Sequence, residues 1–185
     1  MKLCGLVLIC ASAGAPALFA QEKTGQTAQV LQDFDKRVSD YVKLHKTAVS
    51  EVHRLKPTNS PEEIKKYEHH LAREIREARS GAVHGDVLTP AICTEIRRLI
   101  DQTMEGPEAE RIRASLARGE PAHLPALRVN QVYPDLEPLQ STPPTLLMNL
   151  PEVPKEVDYR VVGKALVLRD VEANLIVDFC ENVVP

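Results

Sequence analysis

The chain has 185 residues, with 23 Lys and Arg against 26 Asp and Glu, so its formal net charge at pH 7 is −3. This charge argues against binding to nucleic acid or to an anionic membrane surface. The lack of Trp and the scattered positions of the few Tyr and Phe residues argue against an aromatic-lined groove for sugars or bases.

The first twenty residues have the layout of a secretory signal peptide. Lys2 is followed by a short apolar stretch and then by small residues up to Ala20. The apolar stretch is shorter than the roughly 20 residues that a membrane-spanning helix needs. We therefore predict that residues 1–20 are removed, and that the mature chain begins at Gln21 and is exported to the periplasm or the extracellular space, without a transmembrane segment. Lipid attachment at Cys10 is a weaker alternative, because a branched residue precedes the cysteine.

Residues 21–119 are predicted to be helical, beginning with one long helix between Thr27 and Lys56. Apolar positions in this stretch repeat with alternating spacings of three and four, which is typical of a helix packed against partner helices. The repeat consists of Leu31, Phe34, Val38, Tyr41, His45, Ala48, Val52 and Leu55. His45 could sense pH or pair with a polar group across the interface. We favour pairing, because a single polar residue in such a repeat often only fixes the register of the helices.

Three further helices are marked by their start signals. Ser60 precedes Pro61 and lies three residues before Glu63, which is the pattern of a capping box. A Thr-Pro pair at 89–90 starts a third helix in the same way. Residues 108–118 form a short fourth helix that a glycine terminates.

The last third of the chain has a different pattern. Eight of the fourteen prolines fall within residues 120–156, which makes this region too proline-rich for a helix, although it is too apolar for a flexible linker. We predict an ordered, extended strap over the helices, with one or two short edge strands. Residues 157–185 then predict a three-stranded meander, with turns at 163–164 and near Asn174.

These patterns predict an α+β fold, in which an N-terminal bundle or hairpin of three to four helices is followed by the strap and a small antiparallel β-meander. We expect residues 21–185 to form one cooperative domain. The ending YRVVGKALVLRDVEANLIVDF resembles the C-terminal block of exported bacterial proteins with helical N-terminal halves and no known activity. The resemblance covers this ending alone and implies no site.

Cys93 and Cys180 are the cysteines that remain once the predicted leader is removed. An oxidising compartment permits a disulfide between them. The alternative is that both are small buried thiols, because free cysteine is among the most buried residue types. The sequence leaves this choice open.

Motifs for chemistry are absent from the sequence. His70 and Glu74 form the best pair of candidate metal ligands, but no HExxH motif and no third convergent ligand is visible. There is also no G-x-S-x-G or S-x-x-K nucleophile motif and no glycine-rich phosphate loop. We therefore predict no catalytic, cofactor-binding or metal-binding residues and no cofactor.

These observations favour a non-enzymatic interaction or structural module of the cell envelope. Its expected partner is another envelope protein, or a second copy bound through the helices. Two alternatives stay open: a small periplasmic enzyme or metal-dependent protein with a non-local site, and a helical periplasmic chaperone.

Overall fold

The computed structural model describes residues 15–52, 56–118, 126–133 and 142–185, with the backbone alone for residues 15–24 and 118. The fold is α+β, with helices in the N-terminal part and a small antiparallel sheet at the C-terminus. The elements in chain order are α1 (Ala15–Val52), α2 (Pro61–Ala78), α3 (Pro90–Met104), α4 (Ala109–Arg118), α5 (Pro144–Leu147), β1 (Val157–Val162), β2 (Ala165–Asp170) and β3 (Leu175–Cys180). Among the described residues, no helix is both long and apolar enough to cross a bilayer.

The helix starts follow the predicted capping signals. The Ser60 hydroxyl accepts a hydrogen bond from the Glu63 backbone N–H (3.4 Å), and Thr89 caps α3 in the same way. In a complete capping box, the Glu63 side chain would accept a hydrogen bond from the Ser60 backbone N–H. In this structure the Ser60 N–H donates to the Thr58 hydroxyl instead (3.2 Å). The capping box is therefore only half formed, although α2 starts where it was predicted to start.

Helix α1 carries the predicted apolar repeat into the core, where it packs against α2 and α3. The buried members of the repeat are Phe34, Val38, Tyr41, His45, Ala48 and Val52, whereas Leu31 is partly buried. The described part of the helix reaches back to Ala15, upstream of the predicted start at Thr27, and Leu55 lies outside the described residues.

The sheet has the order β1-β2-β3, with both pairs antiparallel. The two predicted turns contain Gly163 (φ 57°) and Asn174 (φ 47°), and both residues adopt the left-handed conformation that lets a tight turn reverse the chain. An irregularity in the pairing at Leu168 and Arg169 interrupts the register between β2 and β3.

The sheet is covered on both faces. The helices cover one face, and residues 126–133 cover the other, where they pack on Val167, Ile176 and Phe179. Residues 126–133 also pair with the outer edge of β3. The Ile176 N–H donates to the Gln131 carbonyl (2.8 Å), and the Ile176 carbonyl accepts from the Asn130 N–H (2.9 Å). Residues 126–133 thus contribute an edge pairing as predicted but lie on the sheet, whereas the later described part of the strap lies against the helices, with α5 packed on α3. Residues 126–133 lie on the sheet because β3 has apolar side chains on both faces.

Helix α5 corrects the prediction that residues 120–156 contain no helix. Pro144 occupies the first helical position, where a missing N–H costs nothing, and the helix ends after one turn at Leu147. Proline therefore starts this helix rather than preventing it.

A disulfide joins Cys93 of α3 to Cys180 at the end of β3, with a Cα–Cα distance of 5.5 Å. It links residues that are 87 positions apart in sequence and ties the helical part of the chain to the sheet. Cys4 and Cys10 lie outside the described residues.

Candidate functional site

A buried carboxylate, Asp170, lies where α1 meets the sheet. Residues of a strand alternate between faces, so Asp170 shares the helix-facing side of β2 with Leu166 and Leu168. The residue is fully buried. Its Oδ1 accepts hydrogen bonds from the backbone N–H groups of Glu172 (3.0 Å) and Ala173 (2.8 Å), which fixes the start of the turn between β2 and β3.

Two side chains of α1 bind the other oxygen of this carboxylate. Tyr41 and His45 are four residues apart, so they lie on the same face of the helix. The Tyr41 hydroxyl donates to Asp170 Oδ2 at 2.7 Å, and His45 Nδ1–H donates to the same oxygen at 2.6 Å. Asp170 therefore accepts four hydrogen bonds, which compensates for the burial of its charge.

The second nitrogen of His45 faces another carboxylate. Nε2 lies 3.4 Å from Glu172 Oε2, and the His45 side chain is only 3% exposed. Burial alone would lower the pKa of His45, but the hydrogen bond and charge of Asp170, together with the charges of Glu172 and Glu156, raise this pKa above its ordinary value of 6.5. The imidazolium form of His45 thus persists to higher pH than that of an ordinary histidine.

The network continues to α2. The Tyr67 hydroxyl donates to Glu172 Oε1 at 2.7 Å. The Arg79 guanidinium stacks over the Tyr41 ring at 5.0 Å and donates to the Val177 carbonyl of β3 (3.2 Å). Burial and the neighbouring Asp170 carboxylate raise the pKa of Tyr41 well above its ordinary value, so Tyr41 stays a neutral donor.

A cavity of about 450 Å³ opens beside His45. The residues that line it are His45, Lys46, Val49, Lys155, Glu156, Val171 and Glu172. Within this set, Lys46 Nζ lies 3.4 Å from Glu156 Oε1. An imidazole held on one side by a buried carboxylate can exchange a proton on its other side, and this is the arrangement that general acid–base chemistry uses.

A second buried carboxylate, Asp178 of β3, holds the connection between α2 and α3. Its oxygens accept hydrogen bonds from the backbone N–H groups of Gly85, Val87 and Leu88 at 2.9–3.1 Å. His84 Nδ1 lies 3.2 Å from Asp178 Oδ1, and the His84 ring stacks on Phe179 with 4.2 Å between centroids. This carboxylate thus fixes a loop to the sheet, and its bonds are made mainly to backbone amides.

A groove of about 620 Å³ runs along β1, which forms one edge of the sheet. Its apolar lining consists of Leu147, Met148, Leu150, Pro151, Val153, Val157 and Tyr159, and its polar lining consists of Thr142, Glu152, Asp158 and Arg160. Among the described residues, no hydrogen-bond partner is found for two buried donor atoms of this lining, the Tyr159 hydroxyl and Arg160 Nε.

The candidate metal pair lies on the outer face of α2. His70 Nε2 is 3.5 Å from Glu74 Oε1, and the His70 side chain is 44% exposed. In the part of the chain that the structure describes, no group of three or more His, Cys, Asp or Glu residues is arranged to hold a metal ion. His69 is also exposed, whereas His53 and His123 lie outside the described residues.

The pairing expected for His45 is confirmed, since it bonds to a polar group from another element. Neither its partner Asp170 nor the second buried carboxylate, Asp178, was predicted from the sequence as a site residue. A signal for both was present, because each is an acidic residue in a strand that is otherwise rich in apolar residues. Sequence position alone could not show which helix each carboxylate meets.

Comparison with protein-family models found no match, and searches among curated proteins and among solved structures found none either.

Proposed function

We propose that this chain is an exported, non-enzymatic interaction module of the cell envelope, which presents an apolar groove to another envelope protein. The layout of residues 1–20 supports export, as does the resemblance of the C-terminal block to exported bacterial proteins. The disulfide between Cys93 and Cys180 adds support, because such bonds persist in oxidising compartments.

The observation that carries the interaction function is the exposed apolar end of α5. Leu147 is 38% exposed and Met148 is 84% exposed, and both side chains border the groove along β1. Exposed apolar side chains grouped beside an apolar groove are typical of protein interaction sites, whereas isolated ones are common on any surface. Methionine also adapts its shape to a partner, because its side chain is flexible and polarizable.

The buried polar residues support the same function. Asp170 and Asp178 are each bonded to several donors, and those donors come from helices, turns and loops that the carboxylates hold against the sheet. Such networks rigidify the structure around them. We infer that they keep the groove in a fixed shape.

Site-specific photo-crosslinking tests this function. A photoreactive amino acid is placed at Met148 in the full chain, which is expressed in a host that exports it. The matched control carries the same group at Val83, which is apolar and 61% exposed but does not line the groove. We expect one discrete adduct with another envelope protein from position 148 and none from position 83. No adduct from position 148, or the same adducts from both positions, would contradict the proposal.

The cavity beside His45 favours a second candidate, a small enzyme with a non-local site. Asp170 orients the imidazole, and Lys155 lines the same cavity, whereas Lys46 is paired with Glu156, so the anionic group of a small substrate could be bound at Lys155 beside a proton donor. Thermal-shift screening of small carboxylates and phosphate esters tests this candidate. A ligand that stabilises the natural chain, but not a His45→Asn variant, would favour it.

A further inference from the structure

His45 lies between two carboxylates that are held to different degrees. Nδ1 binds Asp170 Oδ2 at 2.6 Å, and Nε2 lies 3.4 Å from Glu172 Oε2. The Asp170 side chain is fully buried, and it also accepts hydrogen bonds from the Tyr41 hydroxyl and from two backbone N–H groups. The Glu172 side chain is 46% exposed, and the Tyr67 hydroxyl of α2 donates to its Oε1 at 2.7 Å. Asp170 is therefore fixed in place, whereas Glu172 can turn toward water.

The geometry determines which proton His45 loses when its imidazolium is neutralised. Without a proton on Nδ1, two acceptors would face each other across the 2.6 Å contact with Asp170. The neutral ring therefore keeps the proton on Nδ1 and loses the one on Nε2. Nε2 then directs a lone pair at Glu172 Oε2, so an attraction between opposite charges is replaced by the repulsion of two acceptors.

The remaining charged side chains around His45 come from three directions: Lys46 of α1, Glu156 and Lys155 of the segment before β1, and Arg79 of α2. Lys46 Nζ lies 3.4 Å from Glu156 Oε1, so their charges offset each other. Arg79 acts on Asp170, and therefore on the Nδ1 side of the imidazole. The contact between Nε2 and Glu172 thus depends on the proton that Nε2 carries.

We propose that His45 and Glu172 form a pH-sensitive switch, in which the imidazolium holds the Glu172 carboxylate against α1 and α2, and the neutral imidazole releases it to water. Release also breaks the contact with Tyr67, because one carboxylate makes both contacts. It frees Nε2 as a hydrogen-bond acceptor in the cavity that His45 and Glu172 both line. This inference does not depend on the groove along β1.

The switch operates above the ordinary pKa of a histidine. Burial lowers the pKa of His45, but the hydrogen bond and charge of Asp170, together with the charges of Glu172 and Glu156, raise it above the ordinary value of 6.5. Glu172 is therefore held below pH 6.5 and released as the pH rises through the folded-state pKa of His45.

Solution NMR of the full, oxidised chain, labelled with ¹³C and ¹⁵N, tests this switch. The ring carbon shifts of His45 report its protonation. Nuclear Overhauser effects from the side-chain protons of Glu172 to the rings of Tyr67 and His45 report whether the carboxylate is held. Both signals are followed from about pH 5 upwards until the His45 ring is neutral.

Two variants and a control accompany the natural chain. Glu172→Gln supplies an amide that can donate to the neutral Nε2 while its oxygen still accepts from Tyr67, so its contacts should persist at every pH. His45→Gln removes the titrating group, so the contacts between Tyr67 and Glu172 should no longer change with pH. His70→Gln is the control, because His70 lies on the exposed face of α2 and should leave the switch as in the natural chain.

We expect the Overhauser effects of Glu172 in the natural chain to be lost with the same midpoint as the titration of His45, above pH 6.5. The natural chain decides by itself, so a variant that fails to fold does not affect the test. Overhauser effects that persist once His45 is neutral, or that are lost with a different midpoint, would overturn the inference. Loss of these contacts in Glu172→Gln over the same pH range would overturn it as well.

Discussion

At the scale of single residues, Asp170 is the group on which the packing of α1 against the sheet depends most directly. It is fully buried and binds Tyr41 and His45 from α1 as well as two N–H groups of its own turn. Removing this carboxylate leaves a buried hydroxyl and a buried imidazole without their acceptor.

We expect Asp170→Ala to lower the free energy of unfolding by about 3 kcal/mol or more, because breaking one side of a buried ionic network leaves the other side uncompensated. Urea denaturation followed by circular dichroism measures this difference. Asp40→Ala is the matched control, since Asp40 pairs with Lys43 on the exposed face of the same helix and its loss should have little effect. A similar loss of unfolding free energy in both variants would show that the buried contacts of Asp170 stabilise the fold no more than an exposed ion pair does.

The raised pKa of His45 predicts how stability depends on pH. Because the folded-state pKa lies above the ordinary value of 6.5, the contribution of His45 is fully present below pH 6.5 and is lost as pH rises through the folded-state pKa. The carboxylates that act on His45 are Asp170 and Glu172 from the β2–β3 side and Glu156 from the segment before β1, where Glu156 is itself paired with Lys46.

The free energy of unfolding in urea should therefore fall as the pH is raised above about 6.5, and this fall should be reduced in His45→Gln. His70→Gln is the control, because His70 is exposed on α2 and should leave the pH dependence unchanged. The interpretation of His45 would be wrong if His45→Gln kept the same pH dependence as the natural chain.

At the scale of elements, the apolar repeat of α1 supplies much of the core. Phe34 is 1% exposed and lies in the same cluster as side chains of α2, α3 and the sheet. We expect Phe34→Ala to cost about 3 kcal/mol or more, because it leaves a cavity in a packed core. Ile64→Ala is the control, because Ile64 is 39% exposed on α2 and should cost less than about 0.5 kcal/mol. A cost below about 1 kcal/mol for Phe34→Ala, measured by chemical denaturation, would contradict this placement.

Local patterns were sufficient to predict most elements. Ser60 and Thr89 mark the starts of α2 and α3, and the turns at Gly163 and Asn174 separate the three strands, because capping and turn formation depend on a few neighbouring residues. Helix α5 was not predicted, because proline is unfavourable inside a helix but favourable at its first position. The sequence alone did not show that Pro144 occupies a first position.

The candidate site was only partly predictable. His45 could be recognised as a polar member of an apolar repeat, but its partner Asp170 lies 125 positions away in sequence. Nothing local couples these two residues, since their contact follows from how α1 crosses the sheet. The same holds for the groove along β1, whose lining comes from α5, the segments on either side of it and β1.

At the scale of the whole molecule, the disulfide connects the helical part to the end of the sheet. A cross-link across 87 residues restricts the unfolded chain strongly, which predicts a stabilisation of about 4.5 kcal/mol in the chain-entropy model. Replacing both Cys93 and Cys180 with Ala should lower the free energy of unfolding in urea by about this amount. Dithiothreitol should destabilise the natural chain but not the double variant. Equal stability of the natural chain with and without dithiothreitol would show that the disulfide does not stabilise the fold.

The buried carboxylates, the disulfide and the shared core cluster all join the helices to the sheet. We therefore expect the helices and the sheet to unfold together, so that the groove is carried on a single rigid scaffold. A scaffold of this kind suits an interaction module, because little conformational entropy is lost when its partner binds.

Native-state hydrogen exchange on the full, oxidised chain tests most directly whether the helices and the sheet unfold together. We expect the backbone amides of residues 38–49 in α1 and of residues 165–170 in β2 to exchange through the same opening, with the free energy of global unfolding. Exchange of the α1 amides through an opening of much lower free energy, while the sheet stayed protected, would show instead that the helices and the sheet unfold separately.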